Sequence, residues 1–378
     1  MPGFNVGIPG SHNINALWTW GAAANGRLGN NTTTPDISTP AQIGTDTDWE
    51  MLAAANSGAS LSIGMRNGKL YTWGSNNLFR TGQGTSVGNT LVPTRIGTDS
   101  DWTWVGCGNA YGLAIRAGRL YTWGSNQSFQ TGQGTSSGQT TTPTQVGSDT
   151  DWARCIGGSN VGYAIKTNGT LYAWGANADY QTAQGTNTGS TSTPAQVGSD
   201  TDWQYAMNGV ESTVWSAVGL KGGRPVSWGS NSAGATGQGT TSGTTTSPTA
   251  LSGYSSATDW TSIAIGSSSG GGVGGGNLYT WGNNADYRTG RNTNTGNSST
   301  AVQVGSDTDW TVNRQANIHG SALRGNKLYM WGSNSNGRTG QATTSGNTNT
   351  PTQVGTAADW KILGSFHVNA TAVMAVKG

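Results

Sequence analysis

Pairs of aspartates separated by one residue are the most regular set of ionisable groups in this 378-residue chain. Carboxylates at that spacing can ligate Ca²⁺, which takes about six to eight oxygen ligands. No further acid follows the pairs at a fixed distance, and an aspartate in a turn also hydrogen-bonds its own backbone two residues on. We therefore expect turn stabilisation, with Ca²⁺ binding as the alternative. The pairs are Asp46/Asp48, Asp99/Asp101, Asp149/Asp151, Asp200/Asp202 and Asp307/Asp309.

Other groups that carry catalysis are few and scattered. His12, His319 and His367 lie in unrelated contexts without a Ser-His-Asp or metal-ligand spacing, so we expect structural roles for them. No glycine-rich segment continues into the Lys-Ser/Thr of a phosphate-binding loop. Cys107 and Cys155 occupy different positions of neighbouring repeats, which does not favour a disulfide. The sequence predicts a protein that is not an enzyme and that uses no cofactor; no metal site is assigned, with Ca²⁺ at the aspartate pairs as the alternative.

The elements that position these groups are repeated. A Trp-Gly pair recurs every 50 to 54 residues, and an Asp-Trp pair follows it after 29 residues in six units and 32 in the other. A constant register of this kind predicts one structural unit repeated seven times. The Trp-Gly tryptophans are Trp20, Trp73, Trp123, Trp174, Trp228, Trp281 and Trp331, and the Asp-Trp tryptophans are Trp49, Trp102, Trp152, Trp203, Trp260, Trp310 and Trp360.

Each unit contains four short apolar runs bounded by turn residues, such as DWTWV, GLAI, LYTW and TPTQV. Runs of this length and composition indicate β-strands, and no stretch has helical periodicity. The chain begins and ends inside a unit, so the two ends together complete one blade. The sequence therefore predicts an all-β, seven-bladed β-propeller of four-stranded blades over residues 15–378. Its ring is closed by N- and C-terminal strands that share one blade.

The segments LYTWGSN, TGQGT and TPTQVG, followed by DW and AI, resemble the repeats of the regulator of chromosome condensation family. The resemblance spans essentially residues 15–378 and implies a seven-bladed propeller. It does not imply one activity, since members include a nucleotide exchange factor, a photoreceptor and a β-lactamase inhibitor. The photoreceptor's Gly-Trp-Arg-His-Thr cluster is missing here, and the constant spacing leaves no room for the large insertion of an exchange factor. The repeats are closest in style to phage and bacterial members.

One loop departs from the family pattern. An aromatic residue stands where a glycine is usual at Phe79, Phe129, Tyr180 and Tyr287. The next position is arginine in four consecutive blades, which predicts an electropositive arc on one rim. A solvated arc with aromatics wedged between blades is one interpretation, and a partner-binding rim is the other, since arginine and aromatics are enriched at interfaces. The arginines are Arg27, Arg80, Arg288 and Arg338.

The segment GSSSGGGVGGG (266–276) replaces a strand that elsewhere reads like GLAI. Without side chains it is expected either to be irregular or to allow another backbone to approach closely. We expect a lax, exposed blade at this point. Residues 1–14, which contain two prolines, are expected to form an N-terminal arm, either as an ordered docking arm or as a frayed terminus.

Composition narrows the function classes. Charged residues are 10% of the chain, the formal net charge is +2, and there are 17 tryptophans. These values disfavour disorder and nucleic-acid binding, and no apolar run reaches the ~18 residues of a membrane span. No secretion signal is recognised at the N-terminus. The oligomeric state is not predicted.

We interpret the chain as a structural or binding propeller. The leading hypothesis is a phage virion component, in a tail, fibre or capsid decoration. Such a component would dock to other structural proteins of the same assembly or to a host surface receptor. The alternative is a soluble regulator, extracellular or cytoplasmic, that acts as an inhibitor or in an exchange-factor-like way and binds one partner on a propeller face.

Overall fold

The chain forms a closed ring of seven antiparallel sheets around an axis, a β-propeller. The computed structural model describes residues 15–55, 60–136, 138–187, 189–211, 214–363, 365–366 and 372–378. The predicted arm at residues 1–14, His12 and His367 lie outside the described residues. Blades 1 to 6 follow one another from Trp49 to Gln353, and blade 7 combines the two ends of the chain. The predicted fold class is thus confirmed.

The four strands of each blade run outward from the axis in one order. Every innermost strand begins at an Asp-Trp tryptophan: β3 (Trp49–Ala54), β7 (Trp102–Cys107), β11 (Trp152–Gly157), β15 (Trp203–Glu211), β19 (Trp260–Ile265), β23 (Trp310–Gln315) and β27 (Trp360–Leu363). The second strands are β4 (Leu61–Arg66), β8 (Tyr111–Arg116), β12 (Val161–Lys166), β16 (Val214–Lys221), β20 (Ser269–Gly274), β24 (His319–Arg324) and β29 (Ala372–Lys377).

The third strands end at or next to the Trp-Gly pair: β5 (Lys69–Gly74), β9 (Arg119–Ser125), β13 (Leu171–Gly175), β17 (Arg224–Ser230), β21 (Asn277–Gly282), β25 (Lys327–Ser333) and β1 (Ala16–Gly21). The outer strands are largely solvent-facing: β6 (Thr90–Arg95), β10 (Gln139–Gln145), β14 (Thr191–Gln196), β18 (Thr244–Ala250), β22 (Ser298–Gln303), β26 (Asn347–Gln353) and β2 (Ile37–Gln42).

Ring closure depends on blade 7. There β1 pairs antiparallel with β29, from Ala16 opposite Lys377 to Gly21 opposite Ala372. A short strand, β28 (Ser365–Phe366), continues from blade 7 and pairs in parallel with β3 of blade 1. The terminal strands therefore join both the shared blade and the seam beside it, where β28 covers part of the inner edge of blade 1.

The core consists of side chains packed between neighbouring blades. The seven Trp-Gly tryptophans are completely buried, and the Asp-Trp tryptophans are at most 4% exposed. Buried aromatic side chains each remove a large apolar area from water, so these fourteen indoles supply much of the hydrophobic stabilisation. In the described part of the chain, five single-turn 3-10 segments follow third strands, at Ala24–Gly26, Asn77–Phe79, Ser232–Gly234, Ala285–Tyr287 and Ser335–Gly337. Among the described residues no helix is long and apolar enough to cross a membrane.

The expectation of a lax, exposed blade at 266–276 is wrong. Strand β20 pairs antiparallel with β21 without a register shift and with β19 with one shift, between Trp260 and Ser262, and all six of its residues are buried. A Cβ at Gly270 would lie 2.2 Å from the Trp281 ring, and one at Gly272 would lie 2.5 Å from the Trp260 ring. The glycines are therefore needed because tryptophan rings occupy the space above them, and at these two positions it is a side chain that approaches closely and not, as the alternative expectation had it, another backbone.

Candidate functional site: the Trp-Gly face

The propeller has two chemically different faces. We call the Asp face the end that carries the Asp-x-Asp turns and the hairpins between second and third strands. We call the Trp-Gly face the opposite end, which carries the loops that leave the Trp-Gly pairs for the outer strands. The predicted rim residues all lie in these loops, so the two faces separate the two sets of candidate residues from the sequence.

On the Asp face, the paired carboxylates hold a cation from the end of the second strand of their own blade. Lys166 Nζ lies 2.9 Å from Asp149 and 3.0 Å from Asp151. Among the described residues no group of three or more potential metal ligands forms. The aspartates thus find their partners within the blade. Corresponding pairings are Arg66 with Asp46 and Asp48, Arg116 with Asp99 and Asp101, Lys221 with Asp200, Arg324 with Asp307 and Asp309, and Lys377 with Asp359.

The same cations cover aromatic rings. The Arg116 guanidinium lies 5.7 Å from the Trp102 ring centre and 5.6 Å from that of Tyr121, and these two rings meet edge to face. Cation–π contacts of this kind add to the ion pairs. Sequence reasoning missed this cluster, although a basic residue ends the second strand in six blades.

The one spacing of 32 residues, from the Trp-Gly Trp228 of blade 4 to the Asp-Trp Trp260 of blade 5, goes with a different arrangement of side chains in blade 5. Gly274 stands where the other blades have a cation, and the longer turn brings in Tyr254. The Tyr254 ring lies 5.2 Å from the Trp260 ring and 5.7 Å from the Tyr279 ring. An aromatic side chain therefore covers the Asp-Trp ring where the cation is absent.

On the Trp-Gly face, each indole binds the preceding blade. In every blade the Nε1 of the Trp-Gly tryptophan donates a hydrogen bond of 2.9 to 3.0 Å to a backbone carbonyl at the same loop position of the blade before it. The acceptors are Arg338, Arg27, Arg80, Gln130, Gln181, Ala235 and Arg288, for Trp20 to Trp331 in chain order. The turns of this face thus help to join neighbouring blades through their backbone carbonyls.

An asparagine fixes the shape of six of these seven loops, and Ala23 stands at its position in blade 7. Asn126 Nδ2 donates to the Thr135 carbonyl at 2.6 Å, while its Oδ1 accepts from the Thr131 amide at 3.2 Å. The Nδ2 bond to the residue nine positions on recurs from Asn76, Asn177, Asn231, Asn284 and Asn334. Because the loop is tied at both ends, the turn between them presents its residues in a fixed conformation.

The turn residues are left-handed. Leu78 and Phe79 both have positive φ, 61° and 56°, as do Asp286 and Tyr287 at 58° each. Two successive left-handed residues form the kind of turn that favours Asn-Gly. Blades 7 and 6 have that sequence, at Asn25-Gly26 and Asn336-Gly337. Phe129 and Tyr180 are also left-handed, with φ of 60° and 62°.

Bulky residues in this conformation store backbone strain of about 1–3 kcal/mol each. The four aromatic residues of these turns are only half-buried, so burial of their side chains offsets little of this strain; they are Phe79, Phe129, Tyr180 and Tyr287. In the glycine-containing blades the same position is crowded: a Cβ at Gly26 would lie 2.6 Å from Leu91 and one at Gly337 2.5 Å from Ser38. A bulky side chain at these two turns would therefore clash with the next blade.

The expectation of a solvated arginine arc is wrong. Arg27, Arg80 and Arg288 are 7% exposed and Arg338 is 4% exposed. Each Nε donates to the carbonyl three residues earlier, which folds the side chain under its own turn. Burial, with the like charge of Arg27, lowers the pKa of Arg338 to about 10, against opposing effects of Asp286 and Asp36. A role of the rim in binding a partner stays a prediction. Of the rim residues, the aromatic ones are more exposed than the arginines.

The remaining candidate groups are enclosed. Cys107 and Cys155 are buried thiols, and burial raises the pKa of each. His319 is 1% exposed, and burial together with the charge of Arg338 lowers its pKa to about 3. These groups therefore do not contribute nucleophiles to either face.

Two stretches of the chain, residues 67–115 and 117–165, match the family model described as regulator of chromosome condensation (RCC1) repeat. Each stretch combines the third and outer strands of one blade with the first two strands of the next. No curated protein sequence matches the chain.

Solved structures of low sequence identity share the fold. Human WBSCR16 superposes with a TM-score of 0.80 at 16% identity, over 96% of this chain and 98% of its own. Prp20p of Saccharomyces cerevisiae, described with its binding to Gsp1p and histones, gives 0.80 at 16% identity over 97% and 92%. Yeast RCC1 (Prp20) bound to Kap60 gives 0.79 at 16% identity over 97% and 89%.

Proposed function

We propose that this chain is a protein-binding propeller whose docking surface is formed by the aromatic turns of the Trp-Gly face. The aromatic turns comprise Leu78-Phe79, Phe129, Tyr180 and Asp286-Tyr287. The observation that carries the proposal is their left-handed backbone combined with half-exposed aromatic side chains. Strained backbone clusters at functional sites, where the surrounding structure holds it in place and the strain is part of the mechanism.

Three of these turns lie in consecutive blades. Phe79, Phe129 and Tyr180 project from blades 1, 2 and 3, and Val87, at 89% exposed, lies in the same loop as Phe79. Aromatic side chains on a rigid scaffold are typical binding hot spots. The contacts described for Prp20p with Gsp1p, histones and Kap60 are consistent with protein binding by this fold, although 16% identity supports the fold alone.

A quadruple variant tests the proposal. Phe79→Gly, Phe129→Gly, Tyr180→Gly and Tyr287→Gly together remove the aromatic rings and relax the turns. Proteins captured from extracts of the source by the wild type, quantified by mass spectrometry, should include at least one that the variant captures about tenfold less. A matched variant on the Asp face, Lys69→Ala with Lys327→Ala, should capture it equally.

The two proteins must be equally folded for the comparison to count, and the variant's unfolding temperature should match or exceed that of the wild type. Equal capture by the wild type and the quadruple variant would overturn this docking surface. Loss of capture in the Asp-face variant alone would move the site to the other end of the propeller.

The phage virion role is a finer version of the same proposal. The outer strands favour it, since they expose mainly threonine, serine and asparagine, as in β18 and β26. Copy number in purified particles separates the two: a fixed integer ratio to a major structural protein supports a virion component. A chain found only in the soluble fraction supports the soluble regulator.

A further inference from the structure

A groove on the outer side of the ring, between blades 1 and 2, has no part in the docking surface proposed above. It encloses about 420 Å³, and none of the aromatic turns lines it. That volume lies within the range of about 300–1,000 Å³ that is usual for small-molecule sites. The groove is therefore large enough for a compact ligand.

The walls of the groove combine apolar and polar groups. Trp102 and Tyr121 of blade 2, with Ile96 and Pro143, form apolar surface, while Asp99, Arg95 and Gln83 contribute polar atoms. Such a lining, apolar with a few convergent polar groups, is typical of sites that orient a small ligand.

The charges of the groove are balanced by the protein itself. The Arg116 guanidinium bonds Asp99 and Asp101, and Arg95 donates to the carbonyls of Thr98 and Asp99 at 2.6 and 3.1 Å. A strongly anionic ligand would be repelled by the Asp99 carboxylate, and a strongly cationic ligand would be repelled by the Arg95 guanidinium. A neutral molecule with an apolar face and hydroxyl groups fits better, because carboxylate, guanidinium and amide groups can accept from and donate to hydroxyls.

We propose that this groove binds a neutral sugar ring. The C–H face of the ring packs on Tyr121 and Pro143, and its hydroxyls bond the Asp99 carboxylate, the Arg95 guanidinium and the Gln83 amide. The pyranose ring is the common neutral metabolite that combines an apolar face with a rim of hydroxyls in so compact a form.

The repeat places a second set of the same residue types between blades 2 and 3. Gln133, Asp149, Trp152 and Tyr172 occupy the positions of Gln83, Asp99, Trp102 and Tyr121, while Gln145 replaces Arg95. Two such sites on one rigid ring would bind a repeating glycan more tightly than a single sugar, through effective concentration. Between blades 3 and 4, Val226 replaces the tyrosine, so that pair of blades serves as an internal control.

The test uses saturation-transfer NMR and calorimetry on the full chain. The probes are glucose, galactose, mannose and N-acetylglucosamine, with inorganic phosphate and glycine as charged probes. At least one monosaccharide should bind with Kd on the order of millimolar, as expected for a small neutral ligand. Neither charged probe should compete with it.

Plug variants locate the binding. Thr142 lines the groove, and Thr193 occupies the equivalent position beside the second set of residues. Both are exposed on outer strands, so Thr142→Phe and Thr193→Phe should block the two places without unfolding the blades. Together they should weaken sugar binding at least tenfold, whereas Ser247→Phe at the equivalent position in blade 4 should leave it unchanged. If a plug variant lowers the unfolding temperature, Gln83→Ala with Gln133→Ala replaces it and should weaken binding similarly.

The proposal is overturned if no sugar binds, if the plug variants and the glutamine variants bind as the wild type does, or if phosphate or glycine displaces the sugar. Failure here leaves the protein-docking proposal untouched, because the aromatic turns are outside the groove. Conversely, the glycine variants of those turns should bind sugar normally.

Discussion

The two faces of the propeller use the same repeat in opposite ways. On the Asp face the charged and aromatic groups satisfy one another inside each blade, as Lys166 does between Asp149 and Asp151 over the Trp152 ring. On the Trp-Gly face the indoles bind across blades, and the turns above them hold bulky residues in strained conformations. The Asp face is thus satisfied within each blade, whereas the Trp-Gly face both joins neighbouring blades and holds strained turns.

The largest expected effect tests the inter-blade bonds of the Trp-Gly face. Trp123→Ala removes a completely buried ring and the donor to the Arg80 carbonyl, so the free energy of unfolding should fall by about 3–5 kcal/mol or more. Trp123→Phe, which keeps most of the volume but loses the donor, should cost less. Urea unfolding measures both, and equal losses would show that the stabilisation comes from the indole donor and that the volume of the ring adds nothing to it.

The next largest effect concerns the pH dependence of the free energy of unfolding. The pKa of His319 is lowered from 6.5 to about 3 in the folded chain, so the unfolded chain takes up a proton that the folded chain does not. Stability from this group is complete above pH 6.5 and falls by about 1.4 kcal/mol per unit as the pH drops toward 3. His319→Gln should lack this component of the acid slope. An unchanged slope between pH 6 and 4, measured by urea unfolding, would show that His319 is not buried in its neutral form.

Exchanging the turn sequences sharpens the contrast within the Trp-Gly face. Leu78→Asn with Phe79→Gly introduces the turn sequence of blade 7 into blade 1, and should raise the free energy of unfolding by about 1 kcal/mol because strain is relieved. The reverse change, Gly26→Phe, should lower it by about 1–3 kcal/mol, since a Cβ there would lie 2.6 Å from Leu91. Thermal unfolding compares the two. A loss in the first exchange would mean that the Leu78 and Phe79 side chains stabilise the fold.

The smallest effect concerns the Asp face. The Arg116 side chain is 28% exposed and Asp99 is 44% exposed, so their pair is expected to contribute at most about 1 kcal/mol and to weaken in high salt. A double-mutant cycle of Arg116→Met and Asp99→Asn, at low and high ionic strength, measures the coupling. A coupling that is insensitive to salt would place this cluster among buried networks instead.

Much of the fold follows from the spacing of tryptophans. All seven innermost strands begin at an Asp-Trp tryptophan, and the shared terminal blade could be predicted because each end holds part of one unit. The glycine-rich strand could not be predicted, because the rings of Trp260 and Trp281 that require glycine there belong to other strands. The local sequence shows that this strand consists largely of glycine. Only the packing of the folded chain shows that tryptophan rings occupy the space that larger side chains would need.

The candidate site divides in the same way. The repeat pattern identified the aromatic positions, since a residue that departs from a seven-fold pattern is visible in the sequence. It could not show that Arg27, Arg80, Arg288 and Arg338 fold under their turns, or that those turns are left-handed. Sequence by itself determined the number of blades and the place of the loops, because hydrophobic periodicity and turn residues act locally. Only the tertiary structure decided which loop side chains are covered and which are presented, because neighbouring blades, distant in sequence, set the space around each turn.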